Sequence, residues 1–151
     1  MRRDLLLLGE MIEVAERACQ LAAGVTAEQL RDDRLRSESL LWNFTVLGEA
    51  AAQLSDAVKE RFPHVPWQQP ARLRNRIVHG YWSIDMEILH TTASDQLPSF
   101  ASDLRTVLDA LAAEAQDAPE AEAEDAISTA ATGEQAPASP DPAEDAARPG
   151  D

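Results

Sequence analysis

From Ala113 to Asp151 the chain offers one large aliphatic residue, Ile127, and no aromatic. Ala, Glu, Asp, Pro, Ser, Thr, Gln and Gly make up nearly all the rest. So little apolar surface does not offset the entropy of ordering a chain. Whatever folds is therefore built from residues 1–112, and residues 113–151 are expected to form a disordered acidic tail. The charge divides at the same place. The chain carries a net −14. Residues 113–151 hold 11 acidic residues and one basic one, Arg148, a net of −10, which leaves −4 on residues 1–112. That balance excludes a generally basic nucleic-acid-binding protein. A single cysteine, Cys19, excludes an intramolecular disulfide framework and a cysteine-rich zinc site. Leu5–Leu8, the longest apolar stretch near the start, is too short for a signal-peptide core or a membrane span. The expected setting is the cytoplasm, with no membrane partner.

Within residues 1–112 the apolar positions repeat at helical spacing. Leu5, Leu8, Ile12, Ala15, Cys19 and Ala22 recur every three or four residues over 4–23, one face of an amphipathic helix. Gly24 stands where a C-terminal glycine cap belongs. Thr26 and Gln29 form a capping-box pattern that opens a short helix over 27–31. Leu40, Phe44, Leu47, Ala51, Leu54 and Val58 continue the periodicity, predicting one long helix from about Asp33 to Arg61 that Pro63 and Pro66 end. Gly48 interrupts it at a cost of about 1 kcal/mol relative to alanine, which points to close packing against a neighbouring helix. A fourth helix is expected over about 69–78, with Pro70 in its first turn. A fifth is expected from Ser83 or Asp85 to about Ala113, bent at Pro98. Strand alternation and hairpin turns are missing from the sequence. The fold class is all-α, an up-and-down bundle of four to five helices.

The chemistry gathers in Arg74-Asn75-Arg76-Ile77-Val78-His79-Gly80-Tyr81. Asn75 and His79, four apart, share a helix face. Arg74 and His79, five apart, diverge on an ideal helix, so a helix ending at Val78 with His79 in a Gly80 turn is the arrangement that swings the imidazole back toward Arg74. Arg offers a rigid fork of donors to a phosphate, and His exchanges a proton near neutral pH. Together they suit phosphodiester chemistry without metal or other cofactor. RNA carries its own nucleophile in the 2′-OH, so this pair predicts RNA over DNA. Arg72 and Arg76 are expected to extend Arg74 into a positive patch for RNA. Glu49 sits where it either orients an arginine of the octapeptide or is a surface carboxylate. Trp42, Trp67 and Trp82 are of a type that stacks on bases, but packing is the commoner role and the one expected, so no functional role is assigned to them. His64, His79 and His90 lack metal-ligand spacing, and a P-loop, a serine elbow and a dinucleotide fingerprint are all missing.

The pattern Arg-Asn-x-x-x-His-x-Tyr at Arg74, Asn75, His79 and Tyr81 resembles that of HEPN-domain proteins, and more narrowly the HepT-like family of ribonuclease toxins. Arg36-Ser37-Glu38, the Gly48-Glu49-Ala50 stretch, Val65-Pro66-Trp67, Tyr81-x-x-Ile84-Asp85 and Leu97-Pro98 occur in the order that family has them. The resemblance covers about residues 4–112. It implies a HEPN bundle, a homodimer with both Arg–His motifs facing a shared cleft, and metal-independent RNA cleavage by 2′-OH attack. Arg74 would bind the phosphate, His79 would be the general base or acid, and Asn75 would orient His79 or contact the RNA backbone. It also implies an MntA-type nucleotidyltransferase antitoxin that attaches AMP to Tyr81, the one tyrosine in the chain. A non-catalytic HEPN partner of a nucleotidyltransferase, or a purely structural helical dimer, are the alternatives. The acidic tail is then a solubilising appendage, a self-inhibitory mimic of RNA, or a partner-binding arm.

Overall fold

The computed structural model describes residues 1–118, and the bulk of the acidic segment, residues 119–151, lies outside them. Every regular element among the described residues is helical, as the periodicity predicts. The α-helices are α1 (Arg2–Ala22), α2 (Ala27–Asp32), α3 (Arg34–Gln53), α4 (Asp56–Arg61), α5 (Gln68–His79), α6 (Met86–Thr91) and α7 (Leu97–Asp117). A 3-10 turn, Tyr81–Ser83, follows α5, and a π-turn, Thr92–Gln96, joins α6 to α7. The four long helices make the bundle. Helix α3 is central, packing on both α1 and α5, and α1 packs in turn on α7.

Each helix forms where its sequence says it should, with instructive exceptions. The α1 helix is present, but its buried stripe is Leu8, Met11, Ala15, Ala18 and Ala22, while Leu5, Ile12 and Cys19 are half-buried. The buried stripe thus keeps Leu8, Ala15 and Ala22 of the one expected and adds Met11, Val14 and Ala18. Gly24 takes φ 72°, the left-handed conformation that favours glycine. Thr26 and Gln29 form the reciprocal capping box.

The single helix expected over Asp33–Arg61 is two helices. All six of its periodic residues, Leu40 to Val58, are buried, yet the chain breaks at Leu54–Ser55. Asp4 causes the break. Its carboxylate accepts from the Ser55 backbone N–H and from the Ser55 hydroxyl, both at 2.9 Å, and the Ser55 oxygen in turn caps α4 by accepting from Val58. Burial alone would raise the Asp4 pKa, but the two Ser55 hydrogen bonds and the Met1 ammonium, 3.7 Å away, together outweigh it and the carboxyl is lowered from its ordinary 3.8. A lowered folded-state pKa stabilises the fold above the unfolded value and loses that contribution as pH falls through the folded one. Replacing Asp4 by asparagine is therefore expected to destabilise the protein by about 1–3 kcal/mol at neutral pH. The deficit relative to the parent should shrink below pH 3.8. Urea melts of the two proteins at pH 7 and pH 3 check this.

Helices α6 and α7 also differ from expectation. The bend precedes Pro98. The Leu97 N–H donates to Thr92 O, five residues back, and Pro98 sits in the first turn of α7. Proline has no N–H to donate, and its ring displaces the preceding turn. The helix accommodates both by widening into a π-turn. Helix α7 then runs to Asp117, past the compositional break at 112, because alanine and glutamate are strong helix formers. Glu114 forms an ion pair with Arg61 of α4.

Gly48 does what its position suggested. A Cβ there would stand 2.2 Å from the Arg74 Cβ and 2.5 Å from the Pro70 carbonyl oxygen. The missing side chain lets α3 and α5 touch backbone to backbone, at the arginine of the octapeptide.

Candidate active site

Helix α5 carries the octapeptide. Its buried contacts are Pro70 and Ile77, so the intervening positions distribute around the remaining surface. Pro66, Trp67 and Val65 fix its entry: Val65 and Trp67 are buried, and the Trp67 indole N–H donates to Phe62 O at 2.9 Å. Trp67 packs as expected.

The helix extends through His79, one residue beyond the expected end, and the Gly80 N–H still donates to Arg76 O at 2.9 Å. Gly80 has φ −132°, a backbone that any residue adopts. What its bare Cα provides is room, because a Cβ would lie 3.0 Å from Arg76 O. His79 therefore does not swing back toward Arg74. At 3.6 residues per turn, five residues place them about 140° apart around the axis. Asn75 and His79 are exposed and share a face, with no hydrogen bond between them among the described residues.

The three arginines do not form one patch. Residues two apart on a helix point to nearly opposite sides. Arg74 turns toward α3, where its Nη1 pairs with Glu49 Oε2 at 3.1 Å. Glu49 is thus an orienting carboxylate for Arg74. The Arg74 Nε is buried and has no hydrogen-bond partner. Arg72 and Arg76, four apart, lie on the other flank. The Arg72 guanidinium donates to Gln68 Oε1 at 2.8 Å. Neither has a carboxylate within 4.0 Å among the described residues. His79 is about 60° from Arg76 around the axis, far closer than Arg74 is.

Tyr81 begins the 3-10 turn, half-exposed, its ring meeting Trp82 edge-on at 5.4 Å. Trp82 is 97% exposed and Trp42 on α3 is 66% exposed. Both differ from the packing roles expected of them, a property no local pattern encodes. Arg34, at the start of α3, has its pKa raised first by the hydrogen bond to Glu38 and then by the charge of Glu38, with a smaller contribution from Tyr81. Glu49 beside Arg74 and Arg34 near Tyr81 show that α3 and α5 run antiparallel. Leu35 and Trp42 on α3 and Val78 on α5 are exposed large apolar side chains. Among the described residues no group of three or more His, Cys, Asp or Glu side chains could hold a metal ion. No helix among them is long and apolar enough to cross a membrane.

Comparison with known families matches residues 11–107 to the family described as ribonuclease HepT-like. The chain belongs to the HepT-like family. HepT-like relatives include "Probable ribonuclease HepT" of Thermococcus cleftensis, 25% identical over 92 residues, covering 61% of this chain and 81% of the relative. Two proteins of Methanocaldococcus jannaschii are also similar. "Putative RNase MJ0127" is 25% identical over 56% of this chain and 69% of its own length. "Putative RNase MJ1380" is 22% identical over 66% of this chain and 92% of its own. No solved structure matches the chain. The HepT-like match spans the whole site, from α1 through the octapeptide into α7.

Proposed function

We propose that this HepT-like protein is a metal-independent endoribonuclease, the toxin of a toxin–antitoxin pair, acting on RNA in the cytoplasm as a homodimer. The observation that carries the reading is the intact Arg74-x-x-x-x-His79 spacing at an exposed helix end, in a chain of a ribonuclease family. His79 takes the proton of a ribose 2′-OH. The 2′-oxygen attacks the adjacent phosphorus, the bond to the 5′-oxygen breaks, and that oxygen leaves with a proton. The products are a 2′,3′-cyclic phosphate and a free 5′-hydroxyl. Arg74 stabilises the charge on the phosphate oxygens, Asn75 orients His79 or contacts the backbone, and Arg72 and Arg76 bind flanking RNA.

The divergence of Arg74 and His79 within one chain supports the dimer. A shared cleft sets a second motif opposite the first and supplies the partner's Arg74 to a His79 whose own arginine faces α3. The exposed Leu35, Trp42, Val78 and Trp82 are the apolar surface such an interface would cover. The glutamate pairing also suits a phosphate ligand. Leaving the Arg74 Nε without an acceptor costs about 1–3 kcal/mol, which movement onto a phosphate would recover. The purified full chain is expected to cleave RNA in EDTA and leave cyclic-phosphate ends. Dependence on a divalent metal would contradict the mechanism.

Neutralisation would come from an MntA-type nucleotidyltransferase that joins AMP to the Tyr81 hydroxyl, releasing pyrophosphate from ATP. Exposure of Tyr81 supports this, and each added phosphodiester would bring negative charge and bulk to the motif. Coexpression with such an enzyme is expected to add AMP mass to the Tyr81 peptide, and Tyr81→Phe to abolish the adduct. Intact-mass and peptide mass spectrometry read both.

A further inference from the structure

A large concavity lies apart from the octapeptide's Arg74. It is a groove of about 610 Å³ between α5 and the π-turn with α7, floored by Phe44, Leu47 and Leu97. Arg72 and Arg76 form one wall, and Asp95 and Asp103 stand on the other. A second cavity of about 350 Å³ contains His79. The two meet at Arg76, which with Leu73 and Ile88 lines both. Arg76 is thus the shared wall between the imidazole and the groove, and among the described residues it has no carboxylate within 4.0 Å.

We propose that this groove holds one nucleotide of the RNA strand, the neighbour of the bond cut at His79, and selects its base. The proposal rests on the ribonuclease reading above and adds to it where the strand runs and what it reads. Charge fixes the orientation. Guanidinia on the α5 wall accept a phosphate between them. Carboxylates on the opposite wall repel phosphate and, being acceptors only, suit a base edge that presents N–H donors. The apolar floor suits the faces of a base. The π-turn makes the reading wall, and its Thr92, Asp95 and Gln96 face the groove together. Neither Asp95 nor Asp103 is engaged in an ion pair among the described residues, so both acceptors are available. Adenine, cytosine and guanine carry an exocyclic amino group at the Watson–Crick edge or beside it. Uracil carries none, and its one donor, N3–H, is flanked by two carbonyl oxygens that a carboxylate repels.

The test is sequencing of the cleavage products from a randomised RNA pool treated with the full-length protein, with Asp95→Asn and Asp95→Asn/Asp103→Asn beside it. Asp95 is exposed, so its replacement leaves the fold in place, and a circular-dichroism melt confirms that for each variant. The parent is expected to disfavour uracil about tenfold at one position next to the cut, within the discrimination one paired base edge provides. An asparagine amide both donates and accepts, so the variants should admit uracil and bring the bias below about twofold. Cleavage by the parent with no such bias, or a bias that both variants keep, would overturn the groove assignment and leave the ribonuclease reading intact. No cleavage by the folded parent would overturn both.

Discussion

Replacing His79 by alanine should slow RNA cleavage by about 10²–10⁴-fold, the contribution of a positioned proton-transfer group. The fold should be unaffected. His79 is exposed at the last position of α5 and makes no hydrogen bond to another described residue, so the substitution removes chemistry and little packing. Single-turnover cleavage of an end-labelled RNA in EDTA measures the rate, and a thermal melt of the same preparation reports the fold. Arg74→Ala should give a comparable rate loss through the unneutralised phosphate, but with some loss of stability, because it also removes the partner of Glu49. A His79→Ala variant within tenfold of the parent would move the proton transfer to another residue.

Gly48→Ala is the second large effect, and two opposed terms decide its sign. Alanine in a helix interior gains about 1 kcal/mol over glycine. Against this, the new methyl would lie 2.2 Å from the Arg74 Cβ and 2.5 Å from the Pro70 carbonyl oxygen. Both are anchored atoms that no side-chain rotation clears, so α3 and α5 must separate. Overpacking of that kind costs about 1–3 kcal/mol and occasionally more, and here it is met at two points. A net loss of about 1–2 kcal/mol is expected, a drop of roughly 4–15 °C in Tm for a body of this size. Cleavage should fall as well, since the residue displaced is Arg74. Gly9→Ala is the control, because a Cβ there has nothing within 4 Å and should raise Tm. Calorimetry on the three proteins separates the terms, and a Tm increase for Gly48→Ala would refute the close-packing account.

Much of the fold was legible because short-range physics wrote it. Periodicity located α1 and six buried positions from Leu40 to Val58, though not Ser37, Leu41, Asn43 or Ala50, which α3 also buries; the Thr26–Gln29 box marked α2, and an interior glycine announced the α3–α5 contact. What the sequence concealed depends on partners distant in the chain. Ser55 becomes a helix break because Asp4, 51 positions earlier, accepts its hydrogen bonds. Glu49 was legible as a possible orienting group, but only the α3–α5 contact chooses Arg74 for it. The octapeptide displayed its chemistry openly and its geometry poorly. Alternate arginines read as a cluster along the sequence, yet helical rotation sends Arg74 to one neighbour and Arg72 with Arg76 to a groove. The exposure of Trp42 and Trp82 was hidden for a similar reason, since an indole's identity says nothing of whether another helix covers it.

The turn at Thr92–Gln96 also sets how this region tolerates change. An extra residue in a helix advances everything after it by about 100°. Helices α6 and α7 therefore follow one another without sharing a rotational phase, and the offset lets Leu89, Ala93, Phe100, Leu104, Val107 and Leu111 all reach one buried apolar core. Residue count is consequently held more tightly here than residue identity. A new side chain at Ser94, exposed and lining an open concavity with Cys19 and His90, finds room, whereas loss of that one position would turn the whole apolar edge of the last helix away from α1.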